Sequence, residues 1–183
     1  INTGTQIVKL LTTDTTFGDY FGHSVAIHGT TAIVGAPRNA NNGVRTGSAY
    51  LFDTTTGTLI AKLNASDGEH DDFFGIAVTI EGNTALIGAS RDNILKGAAY
   101  LFDVSSGTQT HKLLVDNMGL QPRFGISVAM DGNLAVVGSS IICVAFLFDT
   151  ISGTLIDTIY RYDNENDHDQ FAQSLAIEDM SII

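Results

Sequence analysis

Nearly the same seventeen residues occur three times in this chain: FGHSVAIHGTTAIVGAP at 21–37, FGIAVTIEGNTALIGAS at 74–90 and FGISVAMDGNLAVVGSS at 124–140. A weaker fourth copy, FAQSLAIEDMSII, begins at Phe171. The Phe positions, Phe21, Phe74, Phe124 and Phe171, are spaced by 53, 50 and 47 residues. A second marker follows each full copy: AYLFDTTTGT (49–58), AYLFDVSSGT (99–108) and AFLFDTISGT (145–154). Self-similarity at such a period means stacked supersecondary units, each unable to bury its apolar faces alone.

Each unit divides into four short apolar segments, in the first copy HSVAI, TAIVGA, SAYLF and TLIAKL. They are rich in β-branched and aromatic residues and bounded by turn formers, which is strand composition. HGTT, EGNT and DGNL join the first two segments as tight hairpins. D-x-x-x-G-T joins the last two. There Asp53, Asp103 and Asp149 are read as turn-builders that bond backbone amides, with Gly57, Gly107 and Gly153 closing the turn. Four antiparallel strands per 40–50 residues predict an all-β chain of propeller blades. The expected boundaries are 12–63, 64–114 and 115–160 for three blades and 161–183 for the start of another. Residues 1–11 are expected to be the outer strand of a preceding or closing blade, because TGTQIVKLL matches the end of a repeat. Lys9, Lys62 and Lys112 fall on the outer segments, where charge discourages edge pairing.

The paired F-G-x-S-V-A and V-G-A-P, followed by G-S-A-Y-L-F-D, resemble the FG-GAP repeat. Phe21, Gly22, Gly35, Ala36 and Pro37 carry its full form. Gly88-Ala89-Ser90 and Gly138-Ser139-Ser140 are decayed versions of the second motif. The lead-in D-G-x-x-x-D-x-F-G is closer to bacterial-type members than to integrin α-subunits. The resemblance implies a ring of about seven blades, of which this chain supplies about three and a half. A longer chain is therefore expected. It also implies an extracellular or cell-surface setting and a role in adhesion, protein interaction or assembly. The calcium loops of integrins sit in the first hairpin as D-x-D-x-D-G. Here HGTT, EGNT and DGNL leave no room for them.

Charge narrows the partners. Nine Lys and Arg against 20 Asp and Glu give −11, which argues against nucleic acid, whose binding rests on basic side chains. No apolar run approaches the roughly 20 residues of a membrane span. The single cysteine, Cys143, is read as a small buried hydrophobe.

Strand alternation puts the tight hairpins on one rim and the 2–3 loops and blade connections on the other. The second rim varies in length and sequence, and variable loops on a rigid scaffold usually carry binding. Its connections hold 11 of the 20 acidic residues. The expected partner-binding residues are Asp67, Glu69, Asp71, Asp72, Asp163, Glu165, Asp167 and Asp169, with Arg38 and Arg91 from the 2–3 loops. Asp163, Glu165, Asp167 and Asp169 also alternate as oxygen donors, a composition suited to calcium, although His168 stands where a calcium loop wants Gly. The five histidines fall at unrelated phases of the repeat, and no nucleophile, phosphate loop or Cys/His cluster is evident, so no enzyme is expected. The expected partner is a protein or a glycan. The alternatives are a lectin-like propeller with sugars between blades and, behind it, a polysaccharide-processing enzyme.

Overall fold

The computed structural model describes residues 4–92, 96–116, 122–160, 172–178 and 181–182. Three four-stranded antiparallel sheets dominate. Blade 1 is formed by β1 (Ser24–His28), β2 (Thr31–Ala36), β5 (Ser48–Asp53) and β6 (Leu59–Leu63). A small hairpin, β3 (Ala40–Asn41) and β4 (Val44–Arg45), projects from its 2–3 loop. Blade 2 is β7 (Phe74–Glu81), β8 (Thr84–Ala89), β9 (Ala98–Asp103) and β10 (Thr108–Leu113). Blade 3 is β11 (Phe124–Asp131), β12 (Leu134–Ser139), β13 (Val144–Asp149) and β14 (Leu155–Tyr160). Two short strands, β15 (Ile177–Glu178) and β16 (Ser181–Ile182), form a hairpin in the fourth copy. Each blade is a meander in chain order, as propeller blades are.

The period-2 pattern gives each blade two unlike faces. In blade 1 the pairs Val34–Tyr50 and Ala32–Phe52 share one face, and Ile33–Leu51 and Gly35–Ala49 share the other. The aliphatic face of one blade packs on the aromatic face of the next. Ile33, Ala49, Leu51 and Leu63 meet Phe74, Val78, Ile80, Tyr100 and Phe102 in one core cluster. Leu86, Ala99, Leu101 and Leu113 meet Phe124, Met130, Phe146 and Phe148 in the next.

The Phe of each FG pair is the wedge at these junctions. Phe74 is fully buried, edge-on to Tyr100 at 5.4 Å and to Phe102 at 5.8 Å. Phe124 repeats this against Phe146 and Phe148 at 5.5 and 5.9 Å. Burial of one such ring is worth about 1.5–3 kcal/mol, and each edge-on pair adds about 0.5–1.5 kcal/mol.

The glycines of the two motifs meet each other across the same junctions. A Cβ on Gly35 would lie 2.1 Å from Gly75 O, one on Gly88 2.0 Å from Gly125 O, and one on Gly138 2.2 Å from Ala172 O. The repeat thus uses glycine to bring the second strand of one blade against the backbone that opens the first strand of the next. Ser24 and Ser127 add a hydroxyl bond to the same carbonyls, Ser24 Oγ to Gly75 O at 2.9 Å and Ser127 Oγ to Ala172 O at 2.5 Å. Blade 2 has Ala77 at this position.

Cys143 is half-buried rather than buried, with φ +52°. It occupies the position of Gly47 and Gly97, which bridge in parallel to Phe74 and Phe124 of the following blade. A Cβ on either glycine would fall 2.2 or 2.0 Å from that Phe carbonyl.

Residues 5–12 join no sheet, unlike the outer strand expected there. They nevertheless lie where an outer strand would. Val8 Cγ2 is 2.3 Å from where a Cβ of Gly57 would be, as Ala61 and Leu63 flank Gly107 and His111 flanks Gly153. Leu10 packs on the cluster containing Tyr50 and Phe52. The inner half of this face stays open: Val25 and Ile27 are 67% and 65% exposed, whereas Val78 and Ile80 at the same phase are 8% and 5% exposed.

Candidate interaction surface

The two rims differ in chemistry because they differ in how they use carboxylates. On the hairpin rim, Asp53 Oδ1 accepts from Thr55 N at 2.8 Å, Thr55 Oγ1 at 2.6 Å and Thr56 N at 2.9 Å. Asp103 does the same with Ser105 Oγ, Ser106 N and Ser106 Oγ at 2.7, 2.8 and 2.8 Å. Asp149 accepts from Ile151 N, Ser152 N and Ser152 Oγ. Gly57, Gly107 and Gly153 close each turn by donating to the Asp carbonyl. These bonds stabilise the charged form. The Thr55 hydroxyl first, then the backbone amides, holds Asp53 at about 2, and the Ser105 hydroxyl leads the same effect at Asp103, also about 2. The Ser152 amide leads at Asp149. This rim is built of turns whose acids are already engaged.

On the opposite rim the lead-in to each of blades 1 and 2 folds against that blade's own 2–3 loop. Asp19 accepts from Thr16 N at 2.7 Å and Asn39 Nδ2 at 3.0 Å, and Asp72 accepts from Glu69 N at 2.5 Å. Their carbonyls accept from Arg38 N and Arg91 N at 3.2 and 3.1 Å. Asp72 is only 4% exposed and is thus a scaffold residue of the loop, not part of the accessible rim. Burial, reinforced by the nearby Asp92 and Glu69 charges, raises its carboxyl to about 6. Its neighbour Asp71 lies 3.0 Å from Arg45 of β4 and 3.2 Å from His70, and so clamps the β3–β4 hairpin onto the next blade's lead-in. Asp67 and Glu69 are exposed.

Asp67, Glu69, Asp72, Asp92, Lys112 and Leu114 line an open cleft of about 280 Å³. Lys112 Nζ is 2.6 Å from Asp67 and 2.8 Å from Asp92, and sits 5.2 Å above the Tyr100 ring. Tyr100 donates its hydroxyl toward both acids. Burial works against the Lys112 charge, but Asp67 and Asp92 outweigh it and raise its pKa; Lys112 in turn holds Asp67 down against its own burial. Blade 1 repeats the pattern with Lys62, Asp14 at 2.6 Å and Tyr50, but Asn39 replaces Asp92 and the buried Tyr50 hydroxyl lies near Asp14 and Ser48 without a well-formed hydrogen bond. Lys62 and Lys112 are therefore ion-paired to lead-in loops rather than standing as free edge charges. Blade 3 has lost the set: Phe146 pairs with Thr158, leaving an apolar cleft of about 390 Å³ with Ile142 and Val144.

Arg38 and Arg91 are half-buried beside aromatic rings at the start of blades 1 and 2. The Arg38 guanidinium lies 4.7 Å from the Tyr20 ring and 5.5 Å from the Phe73 ring, and Arg91 lies 4.3 Å from the same Phe73 ring. Tyr20 and Phe73 hold these positions through positive φ values of +57° and +62°. The aromatic partners and the Tyr–Lys–Asp sets escape sequence reading, since their members are far apart in the chain. The proposed calcium loop, Asp163, Glu165, Asp167 and Asp169, lies outside the described residues. Among the described residues no group of three or more His, Cys, Asp or Glu is placed to hold a metal ion, and no helix is long and apolar enough to cross a membrane.

Stacked four-stranded meanders with glycine-to-glycine junctions define a repeat protein of propeller-blade type. The family model for the FG-GAP repeat matches residues 5–52 and 58–102, and the chain belongs to that family. No curated protein matches the chain. FG-GAP repeat proteins are generally non-enzymatic, are often used in adhesion or protein interaction, and are typically extracellular or at the cell surface.

Proposed function

We propose that this chain is a section of a β-propeller that acts, without catalysis, as an extracellular or cell-surface interaction module. A protein or glycan partner engages the rim of 2–3 loops and blade connections. The observation that carries this reading is the contrast between rims: the hairpin rim spends Asp53, Asp103 and Asp149 on its own turns, while the other presents exposed Glu69, with Asp67 held by Lys112 and Tyr100, and arginines that have no carboxylate partner among the described residues. The open inner face of blade 1 supports a further blade packing there, and the resemblance to the family implies a complete ring of about seven. Calcium at 163–169 remains part of the proposal. Charge reversal of Asp67 and Glu69, and separately of Asp163, Glu165, Asp167 and Asp169, should weaken adhesion of the purified chain to cell or matrix surfaces. Unchanged adhesion in both sets would place the partner elsewhere.

One observation favours a carbohydrate reading as the second. Between blades 2 and 3, on the hairpin rim, an open cleft of about 210 Å³ is lined by Asn83, Asp103, His111, Asn133 and Thr150, with Phe102 and Ile151. Amides, a carboxylate and hydroxyls beside apolar carbon suit a sugar's mixed surface. A glycan array with wild type and Asn133→Leu separates this reading from the first.

A further inference from the structure

Arg38 and Arg91 are conspicuous in a chain with only nine Lys and Arg against 20 acids. Lys62, Lys112 and Arg45 are each within 3.0 Å of a carboxylate. Among the described residues, no carboxylate lies within ion-pair distance of Arg38 or Arg91. The acids of the adjoining lead-ins, Asp19 and Asp72, are buried and turned toward Thr16, Asn39 and the Glu69 amide, and Asp92, next to Arg91 in the chain, is buried and engaged by Lys112 and the Tyr100 hydroxyl. Among the described residues the two guanidinium groups make no side-chain hydrogen bond, and neither is among the buried side-chain atoms there that lack a hydrogen-bond partner, Tyr50 Oη and His111 Nδ1. The arginine donors are thus open to solvent.

They are also held in place. Each backbone amide is tied to the carbonyl of the lead-in Asp, and each guanidinium rests near a ring. The shared Phe73 ring caps the separation of the two guanidinium carbons at 9.8 Å, the sum of its distances to each. That upper bound is about one Debye length in 0.1 M salt, so an anion lying between the two groups feels both charges. A guanidinium presents five donors in a planar fork that matches two oxygens on one carbon. Stacking on a ring leaves the edge of that fork for a ligand and removes part of the entropy lost on binding.

We propose that Arg38 and Arg91, with Tyr20 and Phe73 beneath them, form a carboxylate-binding site that anchors an acidic side chain of a protein partner. This deepens the rim reading above and rests on it. The surroundings select the anion. Asp67, Glu69 and Asp71 flank the same loops, so a phosphate dianion meets about twice the repulsion that a single carboxylate on a neutral segment does, and a polyanion more. Blade 3 does not repeat the site, because Ile141 holds the arginine position and Arg123 the aromatic one.

The test is an NMR titration of the 183-residue chain with two capped peptides, acetyl-Gly-Glu-Gly-amide and acetyl-Gly-Gln-Gly-amide. A third arm, acetyl-Gly-Gly-Gly with a free C-terminus, asks whether a chain-end carboxylate serves as well. The Arg38 and Arg91 Nε–H resonances and the Tyr20 and Phe73 backbone amides are followed. The Glu peptide should shift all four, and the Gln peptide none. R38K/R91K, which keeps both charges without the planar fork, should weaken the Glu peptide about tenfold or more. Binding by the free C-terminus supports the site and widens the source of the carboxylate. Equal shifts from the Gln peptide, no shifts at tens of millimolar Glu peptide, or full binding by R38K/R91K would overturn the proposal. Loss of Glu-peptide binding with adhesion still sensitive to Asp67 and Glu69 reversal sinks this site alone. Loss of both sinks the rim reading too.

Discussion

Gly88→Ala is the sharpest probe of how the blades touch. Gly88 lies in β8 outside the left-handed region, so alanine adds no backbone strain of its own. The new Cβ would stand 2.0 Å from Gly125 O and 2.9 Å from Gly125 C, where ordinary contact begins at 3.4 Å. Blades 2 and 3 would have to part by more than an ångström. No rotamer relieves the clash, because both partners are backbone or Cβ. Overpacking of this kind costs about 1–3 kcal/mol, and a rigid contact belongs at the upper end, about 3 kcal/mol. For a chain of this length that lowers Tm by roughly 6–12 °C. Gly82→Ala is the control: its φ is +54° and nothing lies within 4 Å of its Cβ, so only the left-handed penalty applies, about 1–2 kcal/mol. Calorimetry and urea unfolding give both values. A Gly88→Ala loss under about 1 kcal/mol, or no greater than that of Gly82→Ala, would refute glycine-to-glycine packing between blades.

Ala77→Ser should restore the hydroxyl bond that Ser24 and Ser127 make to the next blade, raising stability by about 0.5–1 kcal/mol in urea unfolding. Lys112→Met leaves Asp92, at 3% exposure, without its cation and with the Tyr100 hydroxyl as its remaining side-chain partner, and should cost about 3 kcal/mol, whereas Lys62→Met, whose partner Asp14 is partly exposed, should cost under about 1 kcal/mol. Asp72 has a folded-state carboxyl raised to about 6 from 3.8, so its contribution favours the fold at low pH and is lost as pH rises through about 6. Asp72→Asn should flatten the fall in urea midpoint between about pH 4 and 6, and an unchanged profile would show that burial does not perturb this group.

The repeat, the four strands per unit and the Asp turn were legible because each rests on local pattern: alternation, turn residues at fixed offsets and a fixed period. The β3–β4 hairpin carried a signal too, Asn42-Gly43 with both residues at positive φ, inside a segment read as a loop. What stayed hidden depends on partners far along the chain. Asp71 and Asp72 are adjacent and chemically alike, yet one reaches out to Arg45 and the other is buried under its own loop. Lys62 and Lys112 looked like edge charges because Asp14 and Asp67 stand 48 and 45 residues away. Cys143 in its apolar run reads as core, and only alignment to Gly47 and Gly97 in space shows that it holds a glycine's place. The arginine–aromatic pairs Tyr20–Arg38 and Phe73–Arg91 recur at one offset, but the contact of Arg38 with Phe73 crosses from one blade to the next and shows only in space.

That every blade is completed by its neighbour's backbone can be tested with one NMR experiment. Gly75 and Gly125 each bring their backbone against the second strand of the blade before, with the Cβ position of Gly75 3.3 Å from Gly35 Cα and that of Gly88 3.4 Å from Gly125 Cα. Nuclear Overhauser contacts between the α-protons of Gly35 and Gly75, and of Gly88 and Gly125, should be present alongside the ladder contacts inside each sheet. Intact ladder contacts with both inter-blade contacts missing would mean that the sheets fold without stacking, and the account of this chain as propeller blades would fail.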